Sequence, residues 1–276
     1  MLMGAPLEVL ACAPAPASAL ASAGRAFDRV RDLDASLSAW RPDSEVSRLN
    51  REGRVLAGPD LRRALELSLR YARLSRGAFD PTVGSLAEAW GLRSGGRVPL
   101  AEELRRALAR TGHRLLRLRG PGPKEAVLSG GARLDLGGIG KGFALDEAAL
   151  AMRRAGALAG RLNFGGQILV FGSAPGSVDG SWEASASPPG GGLPMKIRLL
   201  PPTSSLSISG DAELPGHVLD PRSGRPVRRE GLAAVVAPTG AQADALSTAL
   251  YVLGPKEGLG RAASPEVRTW WIQPRP

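Results

Sequence analysis

Two kinds of spacing between apolar residues divide the chain into predicted helices and predicted strands. Steps of three and four residues predict helices over residues 17–39, 59–75, 86–90, 101–111, 143–155 and 241–253. Short apolar or alternating runs predict strands over residues 6–13, 115–118, 125–128, 133–136, 161–163, 168–171, 196–200, 205–209, 231–237 and 269–273. Helices and strands therefore mix along the chain.

Turn residues mark the ends of these elements. Ser44 follows the break Arg41-Pro42-Asp43 and can cap a helix whose next turn contains Ser47. Gly120–Pro123 predicts a turn between two strands, and residues 172–192, rich in Gly, Ser and Pro, predict a surface loop. The chain shows no clear linker and no repeat of about 20–50 residues. We predict one α+β domain over residues 1–276, with mixed or antiparallel sheets flanked by helices.

Charge adds little to this picture. The 276 residues carry a net charge of +10, but the arginines are scattered and aromatic residues make up only 4%. Nucleic-acid binding favours clustered basic residues interleaved with stacking aromatics, so we expect no nucleic-acid partner. The single cysteine, Cys12, excludes an intramolecular disulfide framework and a cysteine-cluster metal site, and we interpret it as a small buried residue of the first strand.

The start of the chain bears on its location. No stretch approaches the roughly 18 uncharged apolar residues of a membrane span. The eleven residues before Cys12 contain Glu8 and neither Lys nor Arg, which does not fit a signal peptide. The sequence as written predicts a cytoplasmic protein, and a periplasmic or membrane-anchored one if upstream residues precede this start.

The segment Gly137-Gly138-Ile139-Gly140-Lys141-Gly142 joins a predicted strand to a predicted helix. Such a turn can cradle phosphate, because glycines admit the ligand and the helix start offers unpaired N–H groups. Lys141 could add a mobile positive charge. The segment matches neither the Walker A nor the Rossmann pattern, and a tight structural turn explains it equally well.

Asp244 and Thr248 lie four residues apart near the start of the last long helix, so they share one helix face. A carboxylate and a hydroxyl there form half of a site for a hard cation such as Mg²⁺, which often takes its other ligands from substrate phosphates. Helix capping and ordinary surface polarity are the alternative interpretation.

The chain has two histidines. His113 lies in Thr111-Gly112-His113-Arg114 and is predicted to be a solvated loop residue. His217 precedes Val218-Leu219-Asp220-Pro221 and suits either a structural role or that of a general base.

Taken together, eight segments resemble the ApbE family, the FAD:protein FMN transferases, in the order that the family has them. They cover nearly the whole chain: Met3-Gly4, Leu37–Asn50, Gly77–Gly84, Asp135–Asp146, Asn163–Gly166, Ser209–Asp211, His217–Pro226 and Ala243–Ala249.

The resemblance implies FAD as substrate, magnesium as cofactor and specific residues for each. It implies cofactor contacts at Met3, Trp40, Ala78, Phe79, Asp80, Gly137, Lys141, Asp146 and Leu219, with Met3 and Trp40 at the rings and residues 78–80 using backbone and carboxylate contacts. It implies metal ligands at Gly140, through its carbonyl, and at Asp244, Thr248 and Ser247.

The implied reaction transfers FMN from FAD to a Ser or Thr hydroxyl of an acceptor flavoprotein through a phosphoester bond and releases AMP. His217 would activate the hydroxyl, and Lys141 would help to stabilise the leaving AMP. Acceptors of the family carry a motif like Asp-Gly-x-Ser/Thr-Gly-Ala-Thr. Hydrolysis of FAD to FMN and AMP, and a non-catalytic flavin-binding module, are the alternatives.

Three positions depart from the family pattern. Ala5 follows Met3-Gly4 where the family has a hydroxyl residue, Ala212 replaces an aromatic, and the connection from Asp211 to His217 is shortened. These changes fall on the flavin and acceptor side, so we expect them to affect affinity or acceptor choice.

Overall fold

A computed structural model describes residues 3–92, 94–120, 125–191, 193–211, 216–261 and 265–274. Within these ranges the chain forms eight α-helices and eleven β-strands. The helices are α1 Pro16–Leu37, α2 Glu45–Glu52, α3 Pro59–Leu74, α4 Gly84–Ala89, α5 Ala101–Ala109, α6 Gly140–Arg154, α7 Gly240–Leu253 and α8 Pro255–Arg261. The strands are β1 Leu7–Cys12, β2 Arg54–Leu56, β3 Leu116–Arg119, β4 Glu125–Leu128, β5 Ala159–Phe164, β6 Gln167–Phe171, β7 Trp182–Ala186, β8 Met195–Leu199, β9 Thr203–Ser209, β10 Leu232–Ala237 and β11 Arg268–Ile272.

The chain divides into two compact units. The first contains residues 1–34, 139–210 and 229–276, and the second contains residues 35–138 and 211–228. The sequence predicted one domain over residues 1–276 and no internal boundary, whereas the structure shows these two units. Because the chain passes repeatedly from one unit to the other, no change in composition marks a boundary between them.

The first unit is built on a six-stranded antiparallel sheet with the order β1-β5-β6-β9-β10-β11. The hairpin β7–β8 packs on one face, where Trp182 and Ile197 join Ile168 and Val170 of β6 in one apolar cluster. Helix α7 contacts β9 and β10, and α6 contacts β5 and β6. The fold is α+β, as predicted.

Strand β9 presents different side chains to the two faces of the sheet. Its apolar residues Leu206 and Ile208 belong to the cluster beneath the hairpin. The alternate residues Ser207 and Ser209 hydrogen-bond to Ser247 of α7. Since successive side chains of a strand point to opposite faces, the alternation of serine with apolar residues places a polar layer against α7.

The second unit contains the three-stranded sheet β2-β4-β3 and helices α2–α5. The predicted cap is confirmed: the Ser44 hydroxyl accepts from the Ser47 N–H at 2.9 Å and begins α2. Leu61, Leu65 and Leu86 are buried completely and form part of the core. Strands β3 and β4 pair as predicted, while all of the predicted turn Gly120–Pro123 except Gly120 lies outside the described residues.

Three predicted elements were wrong. The loop predicted over residues 172–192 contains β7, whose Trp182, Ala184 and Ala186 are buried; two of these three are small alanines, which gave a weak apolar signal. Residues 133–136 make only an isolated parallel bridge, between Arg133 and Val83. Helix α6 starts at Gly140, so Gly140–Gly142 form its first turn instead of a loop before it.

Candidate functional site

The first turns of α6 and α7 share one pattern, a glycine followed four residues later by an aspartate. The pairs are Gly142 with Asp146 in α6 and Gly240 with Asp244 in α7. The Gly142 N–H donates to Asp244 Oδ2 at 3.0 Å, and the Gly240 N–H donates to Asp146 Oδ1 at 2.6 Å. Each helix start is therefore capped by a carboxylate of the other helix.

Close packing explains the two glycines of this exchange. Neither Gly142 nor Gly240 has a positive φ, so backbone conformation does not require glycine at either position. A Cβ on Gly142 would lie 2.8 Å from the Ala241 nitrogen, closer than real Cβ atoms come. The glycine-rich segment thus allows two helices to touch, a role that differs from the tight turn considered from the sequence.

Asp244 is the most perturbed acid of the described chain. Its side chain is buried, and burial raises its pKa to about 6, against the lowering effect of the Lys141 ammonium and of the Gly142 N–H. Asp244 Oδ2 accepts from Gly142, whereas Oδ1 accepts no hydrogen bond from the described residues. A buried carboxylate with a spare oxygen is suited to a cation.

The other predicted metal ligands differ in availability. Thr248 is half-buried one turn beyond Asp244, and no described residue hydrogen-bonds to its hydroxyl. The Ser247 hydroxyl is engaged, because Ser209 lies 2.8 Å away and Ser207 and the Asp244 carbonyl each lie 3.0 Å away. Gly140 lies in the first turn of α6, where helix geometry directs its carbonyl toward the Ala144 N–H. Asp244 and Thr248 are therefore the better-placed pair.

Lys141 stands beside the turn that joins β5 and β6. A Cβ on Gly165 would lie 3.9 Å from Lys141 Nζ, so the lysine side chain passes close to this turn. No described residue forms an ion pair or a hydrogen bond with the Lys141 ammonium, which remains available for a phosphate. In the same unit the Met3 N–H donates to Asp34 at 3.0 Å, and Met3 has the unusual φ of 44°.

Asp80 in the second unit is buried and fully engaged. Its Oδ1 accepts from the N–H and the hydroxyl of Thr82, at 2.9 and 2.6 Å. Its Oδ2 accepts from the His113 N–H at 2.6 Å and lies 3.2 Å from His113 Nδ1. His113 was predicted to be a solvated loop residue, but only 19% of its side chain is exposed, because it packs on Asp80.

The remaining predicted cofactor residues of the second unit, and the predicted base His217, fall into two groups. Ala78, Phe79 and Leu219 are buried, and Leu219 packs with Leu86 and Ala107. Gly137 and His217 are exposed, and Trp40 is 66% exposed.

The contacts that two residues make in this arrangement were not predicted from the sequence. Gln167 of β6 donates from Nε2 to the Gly240 carbonyl at 2.9 Å. Asp146, expected at the cofactor, accepts from the Gly240 and Ala241 N–H groups. The repeated spacing from glycine to aspartate in the two helix starts was the available signal, but it does not indicate which helices meet.

Neither a cluster of metal-binding side chains nor a membrane-spanning helix occurs among the described residues. Among the described residues no three His, Cys, Asp or Glu side chains gather as a metal site. The proposed ligands include only one such residue, Asp244, so this result does not bear on them. Over the same residues no helix has the length and apolar character that crossing a membrane requires.

The chain is similar to known proteins over nearly its whole length. The sequence profile of the ApbE family matches residues 3–271. The FAD:protein FMN transferase of Haemophilus influenzae is 27% identical over 252 residues, which cover 83% of this chain and 72% of that protein. The FAD:protein FMN transferase of Rhodobacter capsulatus is 30% identical over 262 residues, covering 86% of this chain and 47% of that protein.

Solved structures give the same result. The apo crystal structure of the Pseudomonas stutzeri flavinyl transferase ApbE superposes with a TM-score of 0.84 at 25% identity, covering 99% of this chain and 92% of that chain. The ApbE protein of Thermotoga maritima superposes with a TM-score of 0.83 at 28% identity, covering 95% and 88%. The chain described here belongs to the ApbE family.

Proposed function

We propose that this chain is a magnesium-dependent transferase that moves FMN from FAD to a Ser or Thr hydroxyl of an acceptor flavoprotein and releases AMP. The observation that carries the proposal is the buried Asp244 carboxylate, one oxygen of which accepts no hydrogen bond from any described residue, with the Lys141 ammonium nearby. Relatives named as FAD:protein FMN transferases support the choice of substrate.

The described residues fit a hard cation. Asp244 would hold it through Oδ1 and Thr248 through its hydroxyl. The Gly140 carbonyl would contribute only while it also accepts its hydrogen bond within α6. When bound, Mg²⁺ neutralises charge on the phosphate oxygens of a pyrophosphate. So few protein ligands are typical of magnesium, which leaves coordination positions to substrate phosphates and water.

The chain's own residues supply the other parts of the reaction. His217 accepts the proton of the acceptor hydroxyl as its oxygen forms a bond to the FMN phosphorus. The bond from that phosphorus to the bridging oxygen breaks, and the electron pair leaves with AMP. Lys141 stabilises the negative charge on the departing phosphate.

The second unit offers several residues for FAD recognition. Trp40, which is 66% exposed, supplies an aromatic ring for stacking. Residues 78–80 would contribute through their backbone, since the Asp80 carboxylate already serves Thr82 and His113. The acceptor is a flavoprotein segment like Asp-Gly-x-Ser/Thr-Gly-Ala-Thr, with its last hydroxyl as the nucleophile.

The test incubates the protein with FAD, MgCl₂ and a peptide bearing this motif, followed by intact mass of the peptide and separation of nucleotides. FMN attached to the peptide, with an equal amount of AMP, supports the proposal; EDTA and a peptide with its final Thr changed to Val serve as controls. Free FMN and AMP without modified peptide would identify a hydrolase. Tight FAD binding without any product would overturn catalysis altogether.

A further inference from the structure

The two exchanged carboxylates of α6 and α7 are unequal. Asp146 uses both oxygens on the start of α7: Oδ1 accepts from the Gly240 N–H at 2.6 Å, and Oδ2 accepts from the Ala241 N–H at 2.9 Å. Within the described part of the chain, Asp244 accepts through Oδ2 alone, from the Gly142 N–H. One carboxylate of the pair is thus committed to the backbone, while the other keeps an oxygen for a ligand.

The peptide groups around Gly240 are held on both sides. Asp146 receives the Gly240 N–H, and Gln167 Nε2 donates to the Gly240 carbonyl at 2.9 Å. The Gly240 Cα lies against the backbone of Gly142, so no side chain can separate the helices there. Together these contacts fix where α7 begins and how it is rotated against α6.

This fixed start determines the location of Asp244. Asp244 lies one helical turn beyond Gly240, and four residues of α-helix span about 6 Å. A helix transmits a displacement of its first turn directly to the next. The N–H groups of that first turn would also attract a nearby carboxylate if Asp146 did not occupy them.

We propose that Asp146 is a positioning residue for the metal-binding carboxylate of Asp244: it caps α7 and does not contact FAD. This assignment replaces the cofactor contact expected for Asp146 from the family resemblance. It rests on the proposed function for the role of Asp244 as a metal ligand and for the identity of the cation. Gln167 donates to the Gly240 carbonyl, so Asp146 and Gln167 together hold the backbone at Gly240. Asp146 is the charged residue of the two.

The experiment compares Asp146→Ala, Asp146→Asn and the control Glu147→Gln in the full chain. Glu147 is the next residue of α6 and pairs with Arg29 at 2.8 Å, so its variant removes one negative charge without touching the start of α7. Titration calorimetry of MgCl₂ into FAD-saturated protein gives Mg²⁺ affinity. Quenching of flavin fluorescence in EDTA gives FAD affinity, and circular dichroism reports folding.

We expect Asp146→Ala to weaken Mg²⁺ binding by about 10–100-fold, as is typical for partners that orient a metal ligand. FAD affinity in EDTA should stay unchanged. Asp146→Asn keeps one acceptor oxygen for the helix start and should fall between Asp146→Ala and wild type, and Glu147→Gln should match wild type. If Asp146→Ala does not fold, Asp146→Asn is judged by the same two affinities.

Two results would overturn the assignment: wild-type Mg²⁺ affinity in Asp146→Ala, or a loss of FAD affinity as large as the loss of Mg²⁺ affinity. Wild-type protein that binds Mg²⁺ but forms no flavinylated peptide would refute the proposed function and leave the positioning role supported by the calorimetry. Wild-type protein that binds no Mg²⁺ with FAD present would refute the metal assignment and the role of Asp146 together.

Discussion

Gly142 of α6 and Gly240 of α7 each occupy the space that a Cβ on the other would need. A Cβ on Gly240 would lie 3.0 Å from the Gly142 carbonyl carbon, and one on Gly142 would lie 2.8 Å from the Ala241 nitrogen. The obstructing atoms are backbone, which cannot rotate away as a side chain can. The helices can therefore exchange carboxylates only because both contact positions lack a side chain.

Gly142→Ala and Gly240→Ala should each destabilise the protein, because the two helices must move apart. Overpacking of this kind costs about 1–3 kcal/mol, occasionally more. Urea unfolding followed by circular dichroism measures the loss, and Mg²⁺ affinity should fall with it.

Gly24→Ala is the matched control for these variants. Gly24 lies inside α1 with no atom within 4 Å of its would-be Cβ, so alanine should stabilise that helix by about 0.5–1 kcal/mol. If Gly142→Ala and Gly240→Ala are as stable as Gly24→Ala, the helices do not touch as described.

Local patterns predicted most of the secondary structure and part of the candidate site. The helix period gave α7 nearly to the residue, and the spacing of Asp244 and Thr248 placed them on one helix face. What the sequence could not supply was long-range pairing: Gly142 and Asp244 are 102 positions apart. Burial of His113 against Asp80 escaped prediction for the same reason, since nothing local to Gly112-His113 indicates its partner.

Asp244→Asn should stabilise the metal-free protein at neutral pH. The pKa of Asp244 is raised from 3.8 to about 6, so folding disfavours the charged form and stability falls as the pH rises between these values. Above pH 6 the cost is at most about 3 kcal/mol. Asparagine removes this cost and can still accept from the Gly142 N–H.

Urea unfolding in EDTA between pH 4 and pH 8 tests this expectation. The free energy of unfolding of the variant should exceed that of wild type by the largest margin near pH 8, and the difference should shrink toward pH 4. MgCl₂ with FAD should raise the melting temperature of wild type but not of the variant. A variant less stable than wild type at pH 7.5 in EDTA would contradict the argument.

Asp80→Asn should lower the stability of the protein more than it lowers the affinity for FAD. Asp80 accepts from the N–H groups of Thr82 and His113, and an amide NH₂ cannot accept, so one buried donor loses its partner. An unsatisfied buried donor costs about 1–3 kcal/mol. Thermal unfolding and FAD titration separate the two effects. An unchanged melting temperature with weaker FAD binding would show that the Asp80 carboxylate contacts the cofactor.

Trp40→Ala should weaken FAD binding and leave the fold intact. Trp40 is 66% exposed and so does not belong to the core, and its loss should change stability by no more than about 0.5 kcal/mol. A stacked aromatic contributes about 0.5–1.5 kcal/mol beyond its buried area. Trp40→Phe, which keeps a stacking ring, should recover much of the FAD affinity. A large drop in melting temperature at unchanged affinity would contradict this role.

His217→Asn should keep FAD and Mg²⁺ binding and lose most FMN transfer, because the base acts on the acceptor hydroxyl and not on the dinucleotide. His217 is exposed, so its replacement should not disturb the core. Removing a general base typically costs about 10²–10⁴-fold in rate. The measurement is the rate of peptide flavinylation by intact mass at saturating FAD and MgCl₂.

His113→Asn is the comparison variant, since His113 packs on Asp80 inside the second unit. It should lose stability, whereas His217→Asn should lose rate at unchanged melting temperature. A His217 variant that loses FAD affinity in proportion to its rate would make His217 a binding residue, and normal transfer would remove it from the mechanism. Asp220, three residues further along the chain, would then be the next candidate for the base, and Asp220→Asn in the same assay would test it; its carboxylate pairs with the Arg222 guanidinium at 2.9 and 3.0 Å.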